Sequence, residues 1–142
     1  MEYWNNRFSD KGTIWGIEPS KTAIYALNLF KKYNIKKILI PGVGYGRHSK
    51  FFSTNNYEVT GIEISEVGLK IAKKLDLKSK LILGSVLEMP FNNEIYDAVF
   101  CFNLLHLLLK NDRFLFIKKC YNKLKVNGFA FFSVFSDQEK SF

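Results

Sequence analysis

The chain has 142 residues, enough for one domain with a single core and too few for two. Apolar residues make up 47% and aromatic residues 16%, with 14 Phe, so the composition is globular and little apolar surface can be left without a partner. The net charge of +8 comes from scattered lysines (Lys31-Lys32, Lys36-Lys37, Lys73-Lys74, Lys118-Lys119) with no long run of one sign, which reads as a solvated surface; the pull of a basic chain on phosphates leaves nucleic acid as the weaker reading.

Asp10-Lys11-Gly12 reads as a turn. Ser20 is a candidate N-cap, and the spacing of Ala23, Ile24, Leu27 and Phe30 predicts an amphipathic helix from Ser20 to Tyr33. Lys37 to Pro41 is the first strand, and its run Ile38-Leu39-Ile40 suits a central parallel strand covered on both faces. A crossover helix is expected from Tyr45 to Asn55, a second strand from Tyr57 to Ile62, and a helix capped by Ser65 that carries Val67, Leu69, Ile71, Ala72 and Leu75. Lys80 to Leu83 and Tyr96 to Phe102 are the third and fourth strands. Asn111 to Lys125 reads as a long helix terminated by Asn127-Gly128, with a fifth strand from Phe129 to Phe135. Alternating helices and strands predict an α/β fold with a doubly wound, mainly parallel sheet. Right-handed crossovers and a switch point beside the first strand give the order 3-2-1-4-5.

The first strand ends in Gly42, Gly44 and Gly46, and the second runs into Glu63. Glycines allow a sharp turn and a close approach of backbone to a bound molecule, and an acid at the next strand tip can take both hydroxyls of a ribose. Together they suggest a nucleoside-containing cofactor at the carboxyl edge of the sheet. The dinucleotide fingerprint G-x-G-x-x-G would need a third glycine at position 47, which is Arg47.

G-x-G-x-G after a strand resembles the loop of class I (Rossmann-like) S-adenosylmethionine-dependent methyltransferases. The resemblance runs from Tyr3 to Phe135. Gly84-Ser85-Val86-Leu87-Glu88-Met89-Pro90-Phe91 resembles G-D-x-x-x-L-P-F, and Tyr96-Asp97 through Leu105-His106 resembles the strand-four segment ending in L-H. Tyr3-Trp4-Asn5-Asn6-Arg7-Phe8 and Trp15-Gly16 resemble elements that lead the tellurite-resistance and thiopurine-type small-molecule branch.

The resemblance implies S-adenosylmethionine as cofactor. It implies that Gly42, Gly44, Tyr45 and Gly46 approach the methionine part, that Glu63 takes the ribose diol, and that Ile64 packs on the adenine. Ser85 would accept from the adenine amine in place of the usual aspartate, with Val86 and Leu87 beside the ring, and Asn103 would touch the methionine. Arg7 would meet the methionine carboxylate, and Tyr3, Trp4, Trp15 and His106 would stand on the substrate side. His106 among leucines has a second reading as a packed structural residue, Glu63 as a solvated acid, Asp97 as a turn or cap acid, and Arg47 and His48 as surface residues. The acid that the family usually carries two residues before the first glycine is Ile40 here, so the methionine ammonium needs another partner. No catalytic residue is assigned, because the sulfonium is already electrophilic and the protein need only align a nucleophile and exclude water.

The implied activity is methyl transfer to a small-molecule acceptor such as a thiol. A non-catalytic cofactor-binding module is the first rival, and a nucleic-acid methyltransferase is the second, disfavoured by Asn-Leu-Leu-His after strand four. Cys101 and Cys120 lack metal-ligand spacing and fit reduced thiols in a cytoplasm. No apolar stretch approaches the roughly 20 residues that span a bilayer, and from the polar start no signal peptide is expected. One domain is therefore expected over 1–142, with a cap at 1–34 and a Rossmann-like core at 35–136. The resemblance implies two further strands that are not recognised in the sequence, so an exposed apolar fifth strand is expected, with either a truncated C-terminus or another chain, such as a second copy, on that edge.

Overall fold

The computed structural model describes residues 2–135. Five parallel strands form one sheet, β1 (Lys37–Pro41), β2 (Glu58–Glu63), β3 (Lys80–Leu83), β4 (Tyr96–Phe102) and β5 (Leu124–Ser133), in the order β3-β2-β1-β4-β5. The helices are α1 (Glu2–Lys11), α2 (Lys21–Lys32), α3 (Arg47–Thr54), α4 (Glu66–Leu75) and α5 (Lys110–Asn122), with short 3-10 turns at Val86–Glu88 and Leu105–Leu107.

The sheet is covered on both faces, and the alternation of side chains along each strand divides the core in two. Ile38, Ile40, Val59, Ala98 and Phe100 point to one face, where they meet Ala23, Ala26, Leu27 and Phe30 of α2 and Phe52 of α3. Leu39, Ile62, Val99 and Cys101 point to the other, where Phe116 and Cys120 of α5 lie over them. Each fully buried Leu, Ile or Phe removes enough apolar area from water to contribute about 2–3 kcal/mol. The caps are local. Ser20 Oγ accepts from Ala23 N at 3.1 Å, and Ser65 Oγ accepts from Gly68 N at 3.1 Å.

Four expectations need correction. The N-terminal segment is a helix up to Lys11, and only Gly12, with φ +61°, makes the expected turn. Helix α3 begins at Arg47 because Gly46 is left-handed at φ 90°. Helix α5 stops at Asn122, where Lys123 N bonds Cys120 O, and β5 has started by Leu124. Asn127-Gly128 therefore does not end the helix. It lies in a bulge of β5, where Tyr96 pairs with Leu124 but Ala98 pairs with Phe129, and Asn127 has φ 68°. The apolar side chains of β5 are also less open than expected. Tyr25 of α2 and Tyr33 just after it lie on Phe131 and Phe129, Phe116 of α5 lies on Phe132, and Phe129, Phe131 and Phe132 are half-buried. What stays open at β5 is its backbone edge, which no further strand pairs among the described residues.

Candidate cofactor site

The loop after β1 can turn only because three of its residues tolerate positive φ. Gly42, Gly44 and Gly46 have φ of +70°, +62° and +90°, the left-handed region that disfavours side chains. The loop is tied to the neighbouring strand by Gly42 N and Val43 N, which both donate to Ile62 O at 2.8 and 2.9 Å. The Leu104 side chain lies over Gly42, where a Cβ would stand 2.9 Å from it.

Glu63 closes β2 and is 6% exposed, so it is not a solvated acid. Its Oε1 accepts from Gly44 N and its Oε2 from Ser65 N, both at 2.9 Å. The carboxylate thus bridges the glycine loop and the start of α4. Burial pushes its pKa above the ordinary glutamate value, and the amides of Ser65 and Gly44 draw it part of the way back.

Tyr45 is buried, and its hydroxyl donates to Gly16 O at 2.6 Å and accepts from Trp15 N at 3.0 Å. It fastens the segment before α2 to the glycine loop, with the Trp15 ring stacked beside it. Arg47 donates to Trp15 O at 3.1 Å and lies over the Phe102 ring. His48 is buried, and its Nε2 takes Ser20 Oγ at 2.9 Å and Ser20 N at 3.3 Å. An acceptor role for Nε2 places the proton on Nδ1. Burial, followed by the nearby Arg47 charge, lowers the His48 pKa to about 3. The surface reading is therefore wrong for His48, whereas Arg47 stays partly exposed. Both hold the cap to the loop helix, and His48 was hidden because its partner Ser20 is distant in sequence.

Helix α1 crosses the same edge. Only Phe8 of α1 is fully buried, and it packs where a Cβ on Gly68 would stand 2.7 Å away and one on Gly44 3.8 Å away. Trp4 and Tyr45 flank Phe8. Asn5 Oδ1 accepts from Ser65 Oγ at 2.5 Å, a contact that sequence reading missed because Asn5 is a spacer in the Y-W-x-x-R-F pattern. Arg7 lies 5.9 Å from the Tyr3 ring and 5.9 Å from the Trp15 ring. Its Nε is buried without a hydrogen-bond partner, and no carboxylate among the described residues pairs with it.

The third segment joins from β3. Gly84 N donates to Glu63 O at 2.9 Å, and the Phe91 ring lies 2.5 Å from where a Gly84 Cβ would be. Ser85 Oγ accepts from Leu87 N at 3.1 Å and caps the turn that carries Val86, which is buried, and Leu87. Ile64 is 38% exposed beside this turn's end of the sheet. From β4, Asn103 takes φ 54°, its N donates to Ser133 O at 2.8 Å, and its Oδ1 accepts from Ser133 Oγ at 3.2 Å. His106 follows in a 3-10 turn, with its ring edge on Phe135 and its carbonyl bonded by Arg113. Burial and the Arg113 charge lower its pKa. Asp97 sits at the opposite, amino end. Its Oδ2 accepts from Lys36 N and Lys37 N at 2.9 Å each, and its Oδ1 pairs with Lys125 Nζ at 2.7 Å, so it is the cap acid.

Strand ends thus bring Gly42, Gly44, Tyr45, Gly46, Glu63, Ile64, Ser85, Val86, Leu87 and Asn103 to the carboxyl edge, and α1 lays Arg7, Tyr3 and Trp4 over it. A groove of about 340 Å³ lies elsewhere, between Met89–Ile95 and the end of α5. Its Lys119 and Lys123 ammoniums bond the carbonyls of Met89 and Asn92, and it lacks the glycine turns that mark the carboxyl edge. Among the described residues, no group of three or more His, Cys, Asp or Glu could hold a metal. No described helix is long and apolar enough to cross a membrane.

The sequence matches the family described as "Methyltransferase domain" over residues 39–132. The ubiquinone biosynthesis O-methyltransferase of Bordetella pertussis is 30% identical over 115 residues, which is 75% of this chain and 46% of that protein. The chain thus spans about half the length of the curated relatives it matches. Among solved structures, the CcbJ methyltransferase of Streptomyces caelestis superposes with a TM-score of 0.75 at 22% identity, covering 89% of this chain and 55% of that one. DhpI in its SAM–HEP complex superposes with a TM-score of 0.79 at 18% identity, covering 97% of this chain and 65% of that one. The solved structures share the fold. The family match runs through both arms of the site, from β1 into β5, and it establishes that this chain belongs to the methyltransferase domain family, class I in fold.

Proposed function

We propose that this chain binds S-adenosylmethionine at the carboxyl edge of its sheet and that the methyl group is transferred there to a small-molecule acceptor. The observation that carries the reading is Glu63, which touches the glycine loop at Gly44 and stands at the tip of β2. Each of its oxygens uses one lone pair on a backbone amide and keeps another, so a ribose diol can be accepted without releasing the loop. Arg7 supports the same ligand. A buried guanidinium nitrogen without a partner suits a carboxylate, and the methionine end carries one. Ile64 and Val86 supply apolar surface for an adenine, and the Ser85 hydroxyl remains able to meet its amine.

The bound cofactor would supply an electrophilic methyl on a sulfonium. The chain's own part is to bind, orient and exclude water. Tyr45, Trp15 and Trp4 close the edge, and Asn103 stands at the end of β4 beside Leu104, which covers Gly42. No base is required of the chain for an acceptor that arrives ionised.

The acceptor has two readings. The N-terminal and strand-four motifs resemble the tellurite-resistance and thiopurine-type branch, which favours a thiol. The O-methyltransferase name of curated relatives at 30% identity favours a hydroxyl, and this is the reading we prefer. We read residues 1–34 as a cap and 35–136 as the core, and the unpaired β5 edge as the place where a second copy would add.

Calorimetric titration with S-adenosylmethionine and S-adenosylhomocysteine, against a Glu63→Ala variant, tests the reading. Micromolar binding that is lost in the variant is expected, and equal binding by both proteins would overturn the assignment of Glu63. A paired incubation with thiol and catechol acceptors then separates the two acceptors by which product gains a methyl.

A further inference from the structure

We infer that Asn5 is a positioning residue of the cofactor site, acting through Ser65 on the Glu63 carboxylate. The inference rests on the cofactor reading above and adds to it a residue of α1. Ser65 is completely buried, and three of its hydrogen bonds bear on the site. Its amide holds Glu63 Oε2, its oxygen caps α4 through Gly68 N, and its hydroxyl proton goes to Asn5 Oδ1 at 2.5 Å. A hydroxyl whose oxygen accepts from one direction and whose proton is directed to Asn5 has its rotation fixed. The residue that aims Oε2 is therefore itself held by α1.

The second arm of Glu63 is held by the same helix. Oε1 is bonded to Gly44 N, and the Phe8 ring lies against Gly44 and Gly68 together. Asn5 and Phe8, three residues apart on α1, thus clamp both amides that the carboxylate spans. Without this clamp, the left-handed loop and the start of α4 are joined at this level only by the carboxylate that must also take the ligand. Glu63 is nearly inaccessible, and α1 sets Asn5 and Phe8 against the two residues whose amides hold it. The bond from Ser65 to Asn5 keeps the carboxylate aimed, so a ligand held by Glu63 and the docked position of α1 favour each other.

The test uses Asn5→Ala, Asn5→Asp and Glu63→Gln, with Asn5→Asp keeping an acceptor for the Ser65 hydroxyl. In the ligand-free chain, amide hydrogen exchange at Ser65 and Gly44 is expected to quicken in Asn5→Ala and to stay near wild type in Asn5→Asp. S-adenosylhomocysteine should bind about fivefold more weakly to Asn5→Ala, as for loss of one hydrogen bond, and within about twofold of wild type to Asn5→Asp. Because Asn5 acts through Glu63, adding Asn5→Ala to Glu63→Gln should weaken binding no further. Unchanged exchange, a fully additive double variant, or failure of the aspartate to restore binding would each overturn the inference. A wild-type chain that binds no S-adenosylhomocysteine overturns the reading of function and the cofactor side of this inference, whereas unchanged exchange in Asn5→Ala overturns the clamp alone.

Discussion

Val43 occupies the space that a side chain on residue 61 would need. A Cβ on Gly61 would lie 2.8 Å from Val43 Cβ and Cγ2 and 2.9 Å from Cγ1. The glycine in the middle of β2 is what lets the turn after β1 fold down onto the neighbouring strand. Ile62 O then reaches Gly42 N and Val43 N. Val43 is stiff and buried, so it cannot swing away from an added methyl.

Gly61→Ala should therefore destabilise the chain by about 1–3 kcal/mol through overpacking. Urea unfolding measures this, and the combination with Val43→Ala should recover part of the loss. Equal destabilisation in the single and double variants would place the strain elsewhere.

His48 gives a pH dependence of known sign. Its pKa falls from 6.5 to about 3 on folding, so the unfolded state binds a proton that the native state refuses. Its stabilising contribution is complete above pH 6.5 and is lost as pH falls towards 3. The slope within that window approaches about 1.4 kcal/mol per pH unit. His48→Gln should flatten the difference in unfolding free energy between neutral and mildly acidic buffer. Nitrogen NMR shifts of the wild type should show a neutral ring protonated on Nδ1 throughout.

Asp97 works in the other direction. Burial opposes its charge, but Lys125 and the amides of Lys37 and Lys36 outweigh it and hold its pKa below the ordinary value of 3.8. Its contribution is complete above the unfolded value and is lost as pH falls through the lower, native one. Asp97→Ala removes an acceptor from two strand amides and should cost about 2 kcal/mol at neutral pH. Chemical denaturation checks this, and binding of the cofactor at the far end of the sheet should be unchanged.

Arg7 separates the two ends of the ligand. Arg7→Met should weaken S-adenosylhomocysteine about tenfold, the loss of a charge-assisted contact. It should leave 5′-methylthioadenosine untouched, since that molecule has the nucleoside without the carboxylate. Calorimetry with both ligands reads the difference, and an equal loss for both would assign Arg7 to the fold of the cap.

The glycine turn and the acid at the tip of β2 were legible in the chain because each is a local property, and the order of the sheet followed from the handedness of its crossovers. Ile38-Leu39-Ile40 suits only a strand covered on both faces, and Gly42, Gly44 and Gly46 mark backbone that side chains disfavour. Ser20 and Ser65 announced their helices for the same reason, since a cap bonds a residue three positions on. The end of α5 was misread because Asn127-Gly128 is equally good chemistry for a helix stop and for the bulge that β5 makes. Only pairing with β4 decides between them.

Tertiary structure alone decided what the polar residues around the glycine loop do. His48 meets Ser20 across 28 positions, Asn5 meets Ser65 across 60, and Tyr45 reaches Gly16 across 29. No periodicity encodes such contacts, because a hydrogen bond between distant residues depends on where the sheet and helices set them down. The sequence by itself determined which backbone could turn and which strands were central. The packing of α1 and the cap then determined that Glu63 is a buried bridge instead of a solvated acid.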